Sequence, residues 1–97
     1  MKLAAFDLDG TIYFDGHMPD EVPEAIARWR AAGNLAVVAT GKSPHSARRA
    51  LEPFGVEFDY YLLCNGTVIM NSSYELLYES HVPPEVVRAV YERVRDI

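Results

Sequence analysis

Cysteine is all but absent from this chain of 97 residues: Cys64 stands alone, which rules out an internal disulfide and fits a reducing compartment. Lysine is scarce too, with only Lys2 and Lys42. The seven arginines are spread over three helical segments, so no basic stripe exists to neutralise a nucleic-acid backbone, and the net charge is −5. No apolar run approaches the roughly 20 residues of a membrane-spanning helix. The single N-terminal apolar run is broken by Asp7 and Asp9, so it lacks the form of a signal peptide. There is no internal repeat and no low-complexity segment. These absences exclude a nucleic-acid partner and a membrane partner and set the expected location as cytoplasmic. With 49% hydrophobic and 24% charged residues, the chain has the composition of an ordinary globular domain.

What is present is concentrated at the start. Leu3-Ala4-Ala5-Phe6 is an apolar strand signal that runs directly into Asp7-Leu8-Asp9-Gly10-Thr11. Residues i and i+2 of a strand share a face, so both carboxylates are expected to point into one site and to repel each other there. A fold tolerates that pair when a cation sits between them, a divalent metal above all. Asp7 can attack phosphorus as a nucleophile, and Asp9 can act as general acid and then general base. Gly10 lets the backbone come close to a ligand. An EF-hand loop does not fit, because the glycine falls at the fourth loop position where the sixth is required and Met18 occupies the place of the bidentate acid.

The rest of the chain supplies two more strand ends of this kind. Residues 2–7 read as a buried strand, and Tyr13 to Pro19 as a loop. Asp20 is expected to cap a helix whose Val22, Ala25, Ile26, Trp29 and Ala32 share one face, ending at Gly33-Asn34. Leu35–Ala39 is a second strand closing on Thr40-Gly41. Ser43-Pro44 caps a second helix with Ala47, Ala50, Leu51 and Phe54 inward, stopped by Pro53 and Gly55. Tyr60–Cys64 is a third strand ending at Asn65-Gly66. Trp29, Tyr60, Tyr61 and Cys64 are expected in the core, and the three histidines at the surface. The order β-α-β-α-β implies parallel strands with right-handed crossovers, whose ligands bind beyond the carboxyl ends of the strands. The candidate site residues Asp7, Asp9, Gly10, Thr40, Gly41, Lys42 and Asn65 all lie there. Thr67–Met70 and Glu75–Glu79 read as a hairpin, and Pro83-Pro84 opens a final amphipathic helix.

Asp7-Leu8-Asp9-Gly10-Thr11, then Ala39-Thr40-Gly41-Lys42, then Cys64-Asn65-Gly66, resemble in order and placement the haloacid dehalogenase-like hydrolases, and within them the Cof-type phosphatases. The resemblance implies an α/β fold, a Rossmann-like three-layer core present in part as three parallel strands, with a β-hairpin and the first helix of a cap. Residues 1–81 would be core and 82–97 the start of the cap. It implies a Mg²⁺-dependent phosphohydrolase acting on a small phosphorylated metabolite through an aspartyl-phosphate. Asp7 would be nucleophile and metal ligand, Asp9 acid/base and metal ligand through its carbonyl, with Thr40, Gly41, Lys42, Gly10 and Asn65 about the phosphate or substrate.

Two departures bear on activity. Cof-type members carry Arg after Thr-Gly, where this chain has Lys42. They also use a later Lys for the phosphate and a later acidic cluster for Mg²⁺, and no lysine follows Asn65 here. The expectation is therefore an N-terminal part that is inactive alone. The other reading is a short non-catalytic protein that keeps a weak Mg²⁺/phosphate site or serves in assembly. In the resembling fold the first strand lies mid-sheet, so here its far side is expected to be open and to promote self-association.

Overall fold

A computed structural model describes residues 1–97. Its elements are β1 (Leu3–Phe6), α1 (Glu21–Ala31), β2 (Leu35–Ala39), α2 (Pro44–Leu51), β3 (Tyr60–Leu63), β4 (Val68–Asn71), β5 (Leu76–Glu79) and α3 (Pro84–Val94). One five-stranded sheet runs in the order β1-β2-β3-β4-β5. The first three strands are parallel, with Leu3 opposite Leu35 and Val38 opposite Tyr61. The last two add antiparallel, Tyr61 facing Met70 and Ile69 facing Tyr78. The βαβαβ unit and the hairpin read from the sequence are both present.

Strand register decides where the core lies. Phe6, Val38, Tyr61 and Met70 stand in one row across four strands and so on one face. On that face Ala36, Val38, Tyr61 and Leu63 form a single cluster with Ile26 of α1 and with Ala47 and Leu51 of α2. Both helices therefore cover the same side of the sheet, as consecutive right-handed crossovers require. Of the three layers implied by the resemblance, these residues supply two. The opposite face carries Leu3 and Tyr60 exposed, with Val37 buried at its middle.

Local signals behave unevenly. Ser43 caps α2 as expected, its Oγ accepting the Ser46 N–H at 3.2 Å with Pro44 at the first helical position. Gly55, with φ of 62°, closes the 3₁₀ turn Glu52–Phe54 that follows the helix. Asp20 does not cap α1. Its own backbone is already helical, its side chain accepts no capping bond, and the Val22 N–H goes to the Pro19 carbonyl instead. Trp29 is half-buried and donates from Nε1 to the Leu35 carbonyl at 2.8 Å, which pins the end of α1 to the start of β2. Tyr60 is on the open face and not in the core, because the sheet alternation that buries Tyr61 turns its neighbour outward. Cys64 is half-buried, just past the end of β3.

Tyr61 also stacks on Tyr74 at 4.4 Å, and Arg48 of α2 lies 4.8 Å from the Tyr74 ring. This sandwich fastens the β4–β5 hairpin to α2. Burial, then the neighbouring Tyr61 hydroxyl, pushes the Tyr74 phenol above its ordinary value, so the ring stays neutral across the physiological range. No residue of α3 is buried, and Val86, Val87, Val90 and Tyr91 are exposed along it.

The ion pair that ties the two helical crossovers together is Arg30 to Asp59. Arg30 donates Nε to Oδ2 at 3.2 Å and Nη2 to Oδ1 at 3.0 Å, and the Ala36 N–H also donates to Oδ2 at 2.8 Å. Burial by itself would raise the Asp59 carboxyl, but the Arg30 fork and the Ala36 N–H outweigh it and hold the group below the usual carboxylate range. A depressed carboxylate stabilises the fold above its unfolded value, about 3.9, and loses that contribution as pH falls through the folded value. Arg30→Met is expected to reduce unfolding free energy at pH 7 by about 1–2 kcal/mol. In urea titrations the gap between the variant and the parent should be constant above pH of about 4 and narrow progressively as pH falls below it; a gap that does not narrow with falling pH would show that lost packing, and not the charge, is responsible.

Candidate active site

β1, β2 and β3 end together, and the three polar clusters meet there. Asp7 lies one residue beyond β1, Thr40 one beyond β2 and Asn65 two beyond β3. They line one open cleft of about 470 Å³, with Gly41 and Gly66 at its rim and Ala39 and Leu62 at its base.

The first cluster is shaped by a turn. Leu8 is fully buried, and its carbonyl accepts three N–H groups, from Thr11 at 3.1 Å, Ile12 at 3.1 Å and Tyr13 at 3.0 Å. The chain therefore reverses immediately after β1 instead of continuing as a strand. Alternation survives through the turn: Leu8 goes in, and Asp7 and Asp9 come out. Asp7 Oδ1 accepts the Leu8 N–H at 2.8 Å, which fixes its rotamer and leaves Oδ2 free.

Asp9 departs from expectation. Its carboxylate does not enter the cleft beside Asp7 but turns to Lys42, with Oδ2 3.3 Å from Nζ. The two acids would repel if they shared the cleft, and Lys42 gives one of them another partner. The Asp9 side chain is 64% exposed, so the pair is weak and Asp9 is free to swing. Gly10 is also outside the cleft. Its φ of 80° and its N–H bond to the Tyr13 carbonyl show that it serves the turn.

Thr40 is 7% exposed and keyed on every side. Its N–H reaches the Leu62 carbonyl at 3.0 Å, its carbonyl accepts the Asn65 N–H at 3.2 Å, and its Oγ1 accepts the Lys42 N–H at 3.2 Å. The hydroxyl proton is left to donate into the cleft. The Lys42 side chain leaves in the other direction, toward Asp9 and the Tyr13 ring, whose centroid is 5.6 Å away. Of the Thr40-Gly41-Lys42 set, the first two face the cleft and the lysine does not.

The third cluster is held in an uncommon backbone. Cys64, Asn65 and Gly66 all have positive φ, at 50°, 57° and 91°. Two non-glycine residues in the left-handed region cost about 1–3 kcal/mol each. The Cys64 N–H donates to the Lys42 carbonyl at 2.9 Å and the Asn65 N–H to Thr40, and these bonds hold the loop in place. Nothing in the sequence marked Cys64 for that role; Asn65-Gly66 was the available signal, since both tolerate this region.

The oxygen donors at this end of the sheet suit a hard divalent cation. Asp7 has an uncommitted carboxylate oxygen, and the Asp9 carbonyl accepts no backbone hydrogen bond. Mg²⁺ takes only one or two protein carboxylates in phosphate sites and fills its shell with water and substrate oxygen. No three His, Cys, Asp or Glu side chains converge, so a shell made mainly by protein is not formed by these residues.

Comparisons with known proteins agree on one family. A sequence profile described as haloacid dehalogenase-like hydrolase matches residues 4–97. The HMP-PP phosphatase of Cronobacter sakazakii is 33% identical over 90 residues, which are 92% of this chain and 33% of that protein. Among solved structures, a haloacid dehalogenase-like hydrolase from B. subtilis superposes with a TM-score of 0.89 at 26% identity, covering 99% of this chain and 34% of the other. A subclass IIB sugar phosphatase of the same superfamily gives 0.76 at 27% identity, covering 98% and 37%. The chain thus spans about a third of the length of these relatives.

Gly41 offers a direct test of the cleft's packing. A Cβ built there would lie 3.0 Å from Asn65 Oδ1, the movable end of a side chain. Gly41→Ala is expected to cost less than about 1 kcal/mol, while displacing the Asn65 amide from the rim. Amide chemical shifts should move at residues 40–42 and 64–67 and nowhere else; an undisturbed Asn65 side-chain resonance would contradict the packing described.

Proposed function

The chain belongs to the haloacid dehalogenase-like hydrolases, and from that premise we propose that it carries the nucleophile, the acid/base and the phosphate-binding corner of a Mg²⁺-dependent phosphohydrolase acting on a small phosphorylated metabolite. The observation behind this reading is the convergence of Asp7, Thr40, Gly41 and Asn65 from three separate strand ends on one cleft. Relatives named for HMP-PP and sugar phosphatase activity support the same class of substrate.

The chemistry follows from what each group has free. Asp7 Oδ2, uncommitted while Oδ1 is held by Leu8, attacks phosphorus as the ester P–O bond breaks, giving an aspartyl-phosphate. Asp9 swings from Lys42, takes up a proton from solvent and gives it to the leaving oxygen. It then takes a proton from water, which attacks the phosphorus, releases phosphate and restores the Asp7 carboxylate. The Thr40 hydroxyl donates to a phosphoryl oxygen throughout, its acceptor lone pair being occupied by the Lys42 N–H. Asp7 and the Asp9 carbonyl would hold Mg²⁺, which when bound supplies positive charge against Asp7 and the phosphoryl oxygens. Residues 82–97, with α3 unburied, are assigned as the start of a cap.

Phosphate titrations separate these roles by sign. Without metal, Asp7 repels phosphate, so Asp7→Asn is expected to tighten binding several-fold; with Mg²⁺ the order should reverse, and Thr40→Ala should weaken binding in both conditions. An Asp7→Asn effect of the same sign with and without Mg²⁺ would contradict the assignment. The 97 residues alone, lacking a later lysine, should hydrolyse p-nitrophenyl phosphate well below the ~1 s⁻¹ at the low end of ordinary enzymes; ordinary turnover would show that nothing essential is missing.

β1 pairs only with β2, and Leu3 and Ala5 on it are exposed. An open strand edge beside apolar surface favours pairing with another chain. Sedimentation velocity is expected to show concentration-dependent association that Ala5→Lys suppresses; a monomer at all concentrations would count against it.

A further inference from the structure

Beside the cleft lies a second depression of about 330 Å³, lined by Tyr13, Lys42, His45, Ser46, Arg49 and Ala50. In a chain with 14 acidic residues against nine lysines and arginines, no carboxylate lines it. His45 and Arg49, four residues apart on α2, share a helical face, and neither is ion-paired. Lys42 stands at the border. Its backbone N–H is bonded to Thr40 Oγ1 in the first cleft, while its ammonium reaches over Tyr13 into the second. The three-residue loop Thr40-Gly41-Lys42 thus sets a fixed offset between the two.

We propose that Lys42, His45 and Arg49 form a second anion-binding subsite, which selects phosphorylated compounds bearing a further anionic group, phosphoryl or carboxylate. The inference rests on the assignment of Thr40 and Gly41 to the phosphate end. Arg49 supplies a planar fork suited to two oxygens of one anion, Ser46 a hydroxyl, and Lys42 a charge shared with Asp9. The Asp9–Lys42 pair then couples the subsites: an anion that draws Lys42 away releases Asp9 toward the leaving oxygen. Substrates with one charged end would bind the cleft alone and leave that pair closed.

Inorganic phosphate and inorganic tripolyphosphate, titrated calorimetrically into the metal-free chain at matched ionic strength, test this. Tripolyphosphate is expected to bind at least about tenfold tighter, the effect of one added charge-assisted contact. Arg49→Gln and His45→Gln should lower that ratio several-fold, while Arg88→Gln on α3 keeps it. Retained unfolding midpoints would show that the variants fold. A ratio near one, or an equal loss in Arg88→Gln, overturns the subsite. If phosphate binds through Thr40 and only the gain is missing, this inference alone falls. If neither anion binds, the phosphate-end assignment falls with it.

Discussion

The carbonyl of Leu8 is the point on which the site depends. By accepting three N–H groups it ends the strand and folds the chain back on itself, so that a buried leucine sits between two exposed aspartates. Leu8, Ile12 and Met18 are all buried, which fixes the turn to the same core that holds α1 and α2. Truncating a fully buried leucine costs about 2–5 kcal/mol, so the position of Asp7 is backed by a large part of what a small domain has available. Gly10 makes the reversal possible at low cost, with φ of 80° and no side chain. The motif is thus first of all a folding device.

The other two strand ends depend on each other. Cys64 and Asn65 take left-handed conformations that neither residue favours, and their N–H groups are spent on the carbonyls of Lys42 and Thr40. Gly41 leaves room for the Asn65 amide, which lies against it. Only Asp7 reaches the cleft independently. A cleft built this way presents the Thr40 hydroxyl donor at a fixed place, as an oxyanion requires.

Much of this was legible in the sequence, where local chemistry and global position agree. The cap at Ser43, the stop at Gly55, the parallel βαβαβ unit and the hairpin all follow from residues whose preferred conformation is the one used. The failures have one cause, competition that sequence cannot display. Asp20 is a good cap by type, but its own backbone is helical and the Val22 N–H goes to the Pro19 carbonyl. Tyr60 resembles Tyr61 in the sequence, and only strand register decides which ring is buried. Asp9 shares a face with Asp7 by alternation, yet a cation from another loop captures its carboxylate. For Tyr60 and Asp9 the deciding partner is distant along the chain.

That last capture carries the most functional weight. Two carboxylates at one strand end need compensation, and this chain has a single lysine anywhere near them. Lys42 gives its charge to Asp9, so Asp7 faces the cleft with one oxygen held by a backbone N–H and the other held by nothing. That uncompensated oxygen is what a cation would meet, and it is also what an incoming phosphate would have to approach against repulsion. A metal and a phosphate at this site would therefore meet the same atom. Lys42 cannot serve Asp7 without freeing Asp9, and the free carboxylate would then reach toward the reacting oxygen as an acid or base. One lysine beside two acids makes the charge state of the cleft depend on whatever else Lys42 touches, and besides Asp9 it lies over the ring of Tyr13, which lines the basic depression.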